Sequence, residues 1–334
     1  MEILYSEVFK EHKPLRYHPE NPERLELAIE GLRNSGLWMN IREPPEAKVE
    51  KLLRVHSEKY VEMIRELSKT GFSFVDPDTY VSQATWKAAL KAFGAAVDAA
   101  RLALKKKDIY LALVRPPGHH AGKNGRAFKA PTLGFCIFNN SAGAALEIKD
   151  ALGDAVVVDF DVHHGNGTQE IFWDDNEVVH IDIHEKAIYP GSGEIYDVGG
   201  KGAEGSKVNI PMPHYSKDDD YILAWREIVL PILEEIAPRV IVVSAGFDAF
   251  KDDGLATMEL SEEFYQFAGA SLSKFSLAVV LEGGYSVGLK RGLPAFIRGY
   301  ISGKAHREGI YPGYEAVKVV EAAKEIYGKW WRIK

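Results

Sequence analysis

The sequence predicts an α/β fold, with helices on both faces of a mostly parallel central sheet and all 334 residues in one domain, 1–334. Helix-length segments alternate with short apolar runs along the chain. Those runs are rich in β-branched residues and apolar at successive positions, as strands buried on both faces are. No internal repeat is visible.

The elements follow in order. Asn21-Pro22 before Glu23-Arg24-Leu25 supplies a capping side chain and a proline for the first turn, and the helix stops near Gly36. Ser57 to Leu67, closed by Gly71, reads as a second helix, and Gln83 to Lys106 as an alanine-rich one long enough to cover a sheet face. The strands are expected at Ile109–Val114, Ala155–Phe160, Val178–Ile183, Val240–Ser244 and Leu277–Leu281.

Composition excludes several classes. The chain is 46% hydrophobic and 27% charged, enough to bury a large core. Its net charge of −7 gives no sequence-wide basic field to hold nucleic acid by its phosphates. The single cysteine, Cys136, excludes an intramolecular disulfide and an all-cysteine metal site, and reads as a small buried thiol. The start lacks the pattern of a signal peptide, and no apolar run approaches the ~20 residues that span a bilayer. A cytoplasmic protein without membrane contact is expected, and the Trp330-Trp331 tail is expected to pack on the fold.

Ligands of open α/β sheets bind beyond the carboxyl ends of the strands. Here those ends carry Arg115-Pro116-Pro117-Gly118-His119-His120, then Asp159-Phe160-Asp161-Val162-His163-His164, then Gly246-Phe247-Asp248, and Glu282-Gly283-Gly284-Tyr285. Asp161 and His163 are two apart in extended chain and point the same way, so they can share a metal. Asp248 supplies a third ligand from another strand end. Three protein ligands with an open position is the pattern of a catalytic zinc, whose open position takes and acidifies a water. Asp-x-His alone also fits a solvated turn; the clustering of four polar side chains at one strand mouth favours the metal. His119-His120, in a turn stiffened by two prolines, suits proton transfer, and Tyr285 can donate to a developing oxyanion. His180, Asp182 and His184 also share a strand face, but three ligands from one strand lie nearly in line, so this strand is expected to border the site.

These blocks together resemble the histone deacetylase superfamily, class II-like, which includes acetylpolyamine amidohydrolases. The resemblance begins at His18-Pro19-Glu20-Asn21-Pro22-Glu23-Arg24-Leu25 and runs through Arg115 to Ala121, Gly134 to Asn140 and Asp159 to Gln169, ending at Leu281 to Tyr285. It implies an arginase-like fold and hydrolysis of an acetylated amine, either acetyl-lysine or acetylpolyamine. It implies one zinc ion on Asp161, His163 and Asp248, with His120 as the main base and acid. His119 would support it, oriented by Asp159, and Tyr285 would stabilise the oxyanion. It places Gly134, Phe135, Tyr189 and Leu255 along a substrate tunnel and Asp78 at its rim, and it implies structural potassium near Asp159, Asp161 and His163. Asn166 stands behind His120 where some members carry aspartate.

Two alternatives stay open. A binuclear manganese ureohydrolase shares the fold but needs further carboxylates, and the residue two beyond Asp248 is Phe250. A non-catalytic acyl-amine binding module predicts loss of a ligand or of the tyrosine, and none is lost. The substrate among acylated amines and the state of any homo-oligomer are not legible.

Overall fold

The computed structural model describes residues 1–305 and 309–333. The first half carries strand β1 (Glu2–Leu4), helix α1 (Glu23–Asn34), β2 (Ile41–Arg42), α2 (Val49–Leu52), α3 (Glu58–Lys69), hairpin strands β3 (Ser73–Asp76) and β4 (Thr79–Val81), and α4 (Thr85–Lys105). Then come β5 (Ile109–Ala112), the short pair β6 (Ala121–Gly122) and β7 (Gly125–Arg126), α5 (Asn140–Leu152), β8 (Ala155–Asp159), α6 (Asn166–Ile171) and β9 (Val178–Glu185). The remainder carries β10 (Lys207–Met212), α7 (Asp218–Ala224), α8 (Leu230–Ile236), β11 (Val240–Ala245), α9 (Glu262–Ser271), β12 (Ser276–Leu281), α10 (Leu293–Ser302) and α11 (Tyr314–Tyr327).

Local chemistry sets several boundaries. Asn21 Oδ1 accepts from Glu23 N at 2.8 Å and opens α1, and Gly36, at φ 68°, follows its end. Ser57 Oγ accepts from Tyr60 N and opens α3. The strand expected to reach Val114 ends at Ala112, just before the Arg115-Pro116-Pro117 turn, where prolines have no N–H for a ladder.

The eight-stranded sheet has the order β10-β9-β8-β11-β12-β5-β1-β2 and every pairing in it is parallel. Helices α4 and α5 cover one face, against β5, β8, β11 and β12. A second helical layer closes around Phe160, whose ring lies 5.4 Å from Phe296, 6.0 Å from Tyr265 and 6.3 Å from Trp225, all buried. The result is a three-layer α/β protein.

The order places the site. The chain passes from β8 outward to β9 and β10, then returns so that β11 and β12 fill the space between β8 and β5. The direction of strand order thus reverses beside β8, the kind of place where parallel sheets open a crevice. The four strand ends with polar residues, those of β5, β8, β11 and β12, are neighbours.

No helix among the described residues is long and apolar enough to cross a membrane. The tail packs as expected, Trp331 Nε1 donating to Gly205 O at 2.8 Å, while Lys334 lies outside the described residues.

Candidate active site

Beyond β8 the chain turns across the mouth of the sheet, and its own carboxylates cap the turn. Asp161 N donates to Asp159 Oδ1 at 3.0 Å, and His163 N to Asp161 Oδ1 at 2.9 Å. Because β11 runs beside β8, with Ser244 opposite Asp159, Asp248 arrives against this turn and accepts from Val162 N at 3.0 Å. His163 Nδ1 then lies 3.2 Å from Asp161 Oδ1 and 3.2 Å from Asp248 Oδ2. One ligand atom from each of the three buried residues lies within 4.8 Å of the others.

Two carboxylates this close repel in a buried site. Burial and then the charge of Asp161 push Asp248 up to about 6. Asp161 stays below the usual range, because His119 and His163 outweigh its burial. His163 reaches about 9 despite burial, through its bonds to Asp161 and Asp248. Two carboxylate oxygens and one imidazole, with net negative charge, are a donor set that fits zinc. The crowding leaves room for no side chain: a Cβ on Gly283 would stand 2.2 Å from Asp248 Oδ2, while Gly283 N donates to Asp161 Oδ2 at 2.7 Å.

The histidine pair sits beside this cluster, with ring centroids 4.0 Å apart. Their partners make them unlike. His119 Nδ1 meets Asp159 Oδ2 at 3.0 Å, and although burial opposes its charge, Asp161 and Asp159 raise it well above the usual range. His120 Nδ1 meets Asn166 Oδ1 at 2.8 Å, and the amide's Nδ2 donates to Ala127 O at 3.2 Å. With the amide so fixed, Oδ1 accepts, His120 Nδ1 carries the proton, and Nε2 keeps a free lone pair. Burial, then the charges of His119 and His163, lower His120 well below the usual range.

This pair yields a pH prediction. A base works unprotonated, so kcat/KM falls as pH drops through its pKa. Asn166→Asp puts a carboxylate behind His120, favours the imidazolium and is expected to move the acidic limb up by about 1–3 pH units. A pH profile of the variant with an unmoved acidic limb contradicts the assignment.

Gly134 and Tyr189 stand against His120, and Phe135 follows Gly134. The Tyr189 ring is edge-on to His120 at 4.9 Å, and a Cβ on Gly134 would meet His120 Cδ2 at 2.6 Å and Tyr189 Cε1 at 2.7 Å. Only glycine lets these rings approach. Phe135, held at φ 71°, lies 5.9 Å from the Tyr285 ring. Asp78 braces both walls: its carboxylate accepts from Thr79 and Thr132, and those residues accept from Phe135 N at 3.1 Å and the Tyr189 hydroxyl at 2.9 Å. Leu255 is exposed, at 39%.

Tyr285 is placed by its backbone, Tyr285 N donating to Asp253 Oδ2 at 2.6 Å, and by Arg24, whose guanidinium lies 4.7 Å over its ring. Burial raises its phenol well above the usual range; the charge of Arg24 works the other way but is outweighed, with Asp248 and Asp161 adding to the rise, so it stays protonated as a donor.

Sequence reasoning passed over Asp253 and Arg24. Asp253 also accepts from Ser286 N at 2.9 Å and Gly288 N at 2.8 Å; in sequence it looks like a solvated turn, Lys251-Asp252-Asp253-Gly254. A second buried group is Asp159, His180 and Asp182, drawn from β8 and β9. His180 Nε2 stands 4.0 Å from Asp159 and 3.6 Å from Asp182, and neither of its ring nitrogens has a hydrogen-bond partner among the described residues. His184 instead bonds Asp182 Oδ1 at 2.6 Å and Gly193 O at 3.0 Å, so β9 borders the site without its three polar residues forming one cluster.

Comparison with known proteins gives a consistent result. An uncharacterised protein of Methanocaldococcus jannaschii is 49% identical over 333 residues, 98% of this chain and 97% of that protein. A probable deacetylase of Methanothermobacter thermautotrophicus is 37% identical over 320 residues, 94% of each chain. The crystal structure of the HDA15 HD domain superposes with a TM-score of 0.90 at 31% identity, covering 99% of this chain and 96% of that one. With residues 18–299 matching the family profile of the histone deacetylase domain, the chain belongs to the histone deacetylase family.

Proposed function

We propose that residues 1–334 form one catalytic unit, a zinc-dependent hydrolase that removes an acyl group from an amine, acetyl-lysine or acetylpolyamine. The observation that carries this reading is the joint placement of Asp161, His163 and Asp248 within 4.8 Å of one another beside a histidine, His120, whose Nδ1 is fixed as the donor so that Nε2 keeps its lone pair. These three residues would hold the ion, which when bound polarises the amide carbonyl and acidifies water.

The rest is the work of side chains. Phe135 and Tyr189 line the stem of the substrate and exclude water around it. His120 Nε2 takes a proton from the attacking water and returns it to the leaving amine. His119, paired with Asp159, keeps positive charge beside the forming oxyanion, and the Tyr285 hydroxyl donates to that oxygen. Phe250, where a binuclear site would need a further carboxylate, is buried and stacked on Tyr265 at 6.1 Å, which favours one metal. In this reading a structural potassium ion would be held by backbone carbonyls near Asp159, Asp161 and His163. The buried lone thiol suits the reducing cytoplasm, where we place the enzyme.

A turnover screen of zinc-loaded protein tests the reading, with acetyl-lysine peptides, acetylated polyamines, arginine and agmatine as substrates. Release of acetate from an acylated amine is expected. Urea from arginine or agmatine, or no turnover on any of the four, contradicts it.

A further inference from the structure

Glu282 follows β12 directly and is fully buried. Its carboxylate takes four hydrogen bonds. Oε2 accepts from Gly118 N at 2.7 Å and His119 N at 3.1 Å, and Oε1 from Ser141 Oγ at 2.9 Å and Ser244 Oγ at 3.4 Å. A carboxylate has about four acceptor sites, and here each faces a donor. Among the described residues no lysine or arginine pairs with it; Arg24 bonds its carbonyl instead. Burial therefore pushes Glu282 up to about 7, although the charge of His119 and the two N–H groups work the other way.

An unpaired buried acid is costly, and what offsets the cost is what it holds. Gly118 N and His119 N have no other acceptor among the described residues, and they belong to the loop that presents His119 and His120. On the other side, Glu282 opens the segment in which Gly283 N bonds Asp161 and Tyr285 stands three residues on. Ser141 lies in the first turn of α5 and Ser244 in β11, so the carboxylate is referenced to rigid elements of the sheet and its covering layer.

We propose that Glu282 is a positioning residue that, by accepting the N–H groups of Gly118 and His119, locks the histidine loop against the tyrosine loop at the separation the reaction uses. The role rests on the hydrolase reading above. It acts through hydrogen-bond acceptance at a fixed reach, not through charge.

Two variants separate reach from charge. Glu282→Gln keeps the length: its oxygen accepts from the two N–H groups, and the hydroxyls of Ser141 and Ser244 turn to accept from its NH2. Glu282→Asp keeps the charge but is shorter by one methylene, about 1.5 Å, and cannot reach the N–H groups of Gly118 and His119. Amide hydrogen exchange of residues 115–121 and steady-state kinetics are measured on both and on the parent. In Glu282→Asp, exchange at Gly118 and His119 is expected to speed up about tenfold. Its kcat should fall by about 10²-fold with KM little changed, because Phe135 and Tyr189 are braced by Asp78 instead. Glu282→Gln should keep the parent's exchange and most of its kcat. Parental exchange in Glu282→Asp, or a glutamine variant as impaired as the aspartate one, overturns the proposal. A parent protein that binds zinc yet turns over no acylated amine sinks the hydrolase reading instead, and the exchange comparison still decides whether Glu282 anchors the loop.

Discussion

Asp248→Asn is expected to yield a folded protein that holds zinc weakly and turns over no measurable substrate. The amide keeps an oxygen for Val162 N, so the turn between β8 and α6 keeps its backbone bond. What it loses is one of the two anionic groups proposed to hold the ion. Disturbing residues that merely orient a ligand typically lowers metal affinity 10–100-fold, so loss of a ligand itself is expected to exceed about 100-fold. Turnover should fall by at least about 10³, which corresponds to roughly 4 kcal/mol of barrier. The fold has reason to tolerate the change, since burial and Asp161 already hold Asp248 at about 6 and neutralising it relieves that repulsion. The metal-free variant should therefore unfold no earlier than the metal-free parent. Zinc content after dialysis, kcat/KM and thermal midpoint check the three statements, and unchanged zinc content defeats the ligand assignment.

Tyr285→Phe is expected to behave in the opposite way, with zinc content unchanged and kcat reduced by about 10²–10³, or about 2.7–4 kcal/mol, as when one oxyanion donor is removed. The ring keeps the guanidinium of Arg24 over its face at 4.7 Å and Phe135 at 5.9 Å, and the backbone keeps Asp253, so the loop stays in place. KM should move little, because the lost bond forms mainly as charge develops on the substrate oxygen. A variant with native kcat shows that the hydroxyl does not reach that oxygen.

The contrast explains which parts of the molecule can be read from its sequence. Asp161, His163 and Asp248 are legible because parallel strands leave their carboxyl ends on one rim, and β8 and β11 are strongly apolar runs that end abruptly in acids. Edge strands are not so marked. β2 is two exposed residues, and β10 begins with Lys207, whose ammonium is buried against Asp175 O, Val178 O and Ser206 Oγ at 2.7–3.0 Å. A lysine and a proline in Lys207–Met212 disguise a strand that only tertiary contacts explain.

The same holds within the site. His119 and His120 announce themselves as a pair, but their different environments come from Asp159 and Asn166, 40 and 46 residues away. Glu282 and Asp253 have no periodicity or spacing to mark them; each matters through backbone N–H groups of other segments, which side-chain patterns do not encode. Only the resemblance points to Asp78 at the rim, and its part in bracing Thr79 and Thr132 depends on the hairpin of β3 and β4.

Everything depends on one cation lying among Asp161, His163 and Asp248. Anomalous diffraction at the zinc edge, from crystals of the zinc-loaded protein, locates it directly. The account predicts one strong peak per chain, about 2.0–2.2 Å from the ligand atoms of all three side chains. A peak at Asp159, His180 and Asp182 instead, or two peaks about 3.5–4 Å apart in the manner of a binuclear site, would contradict it.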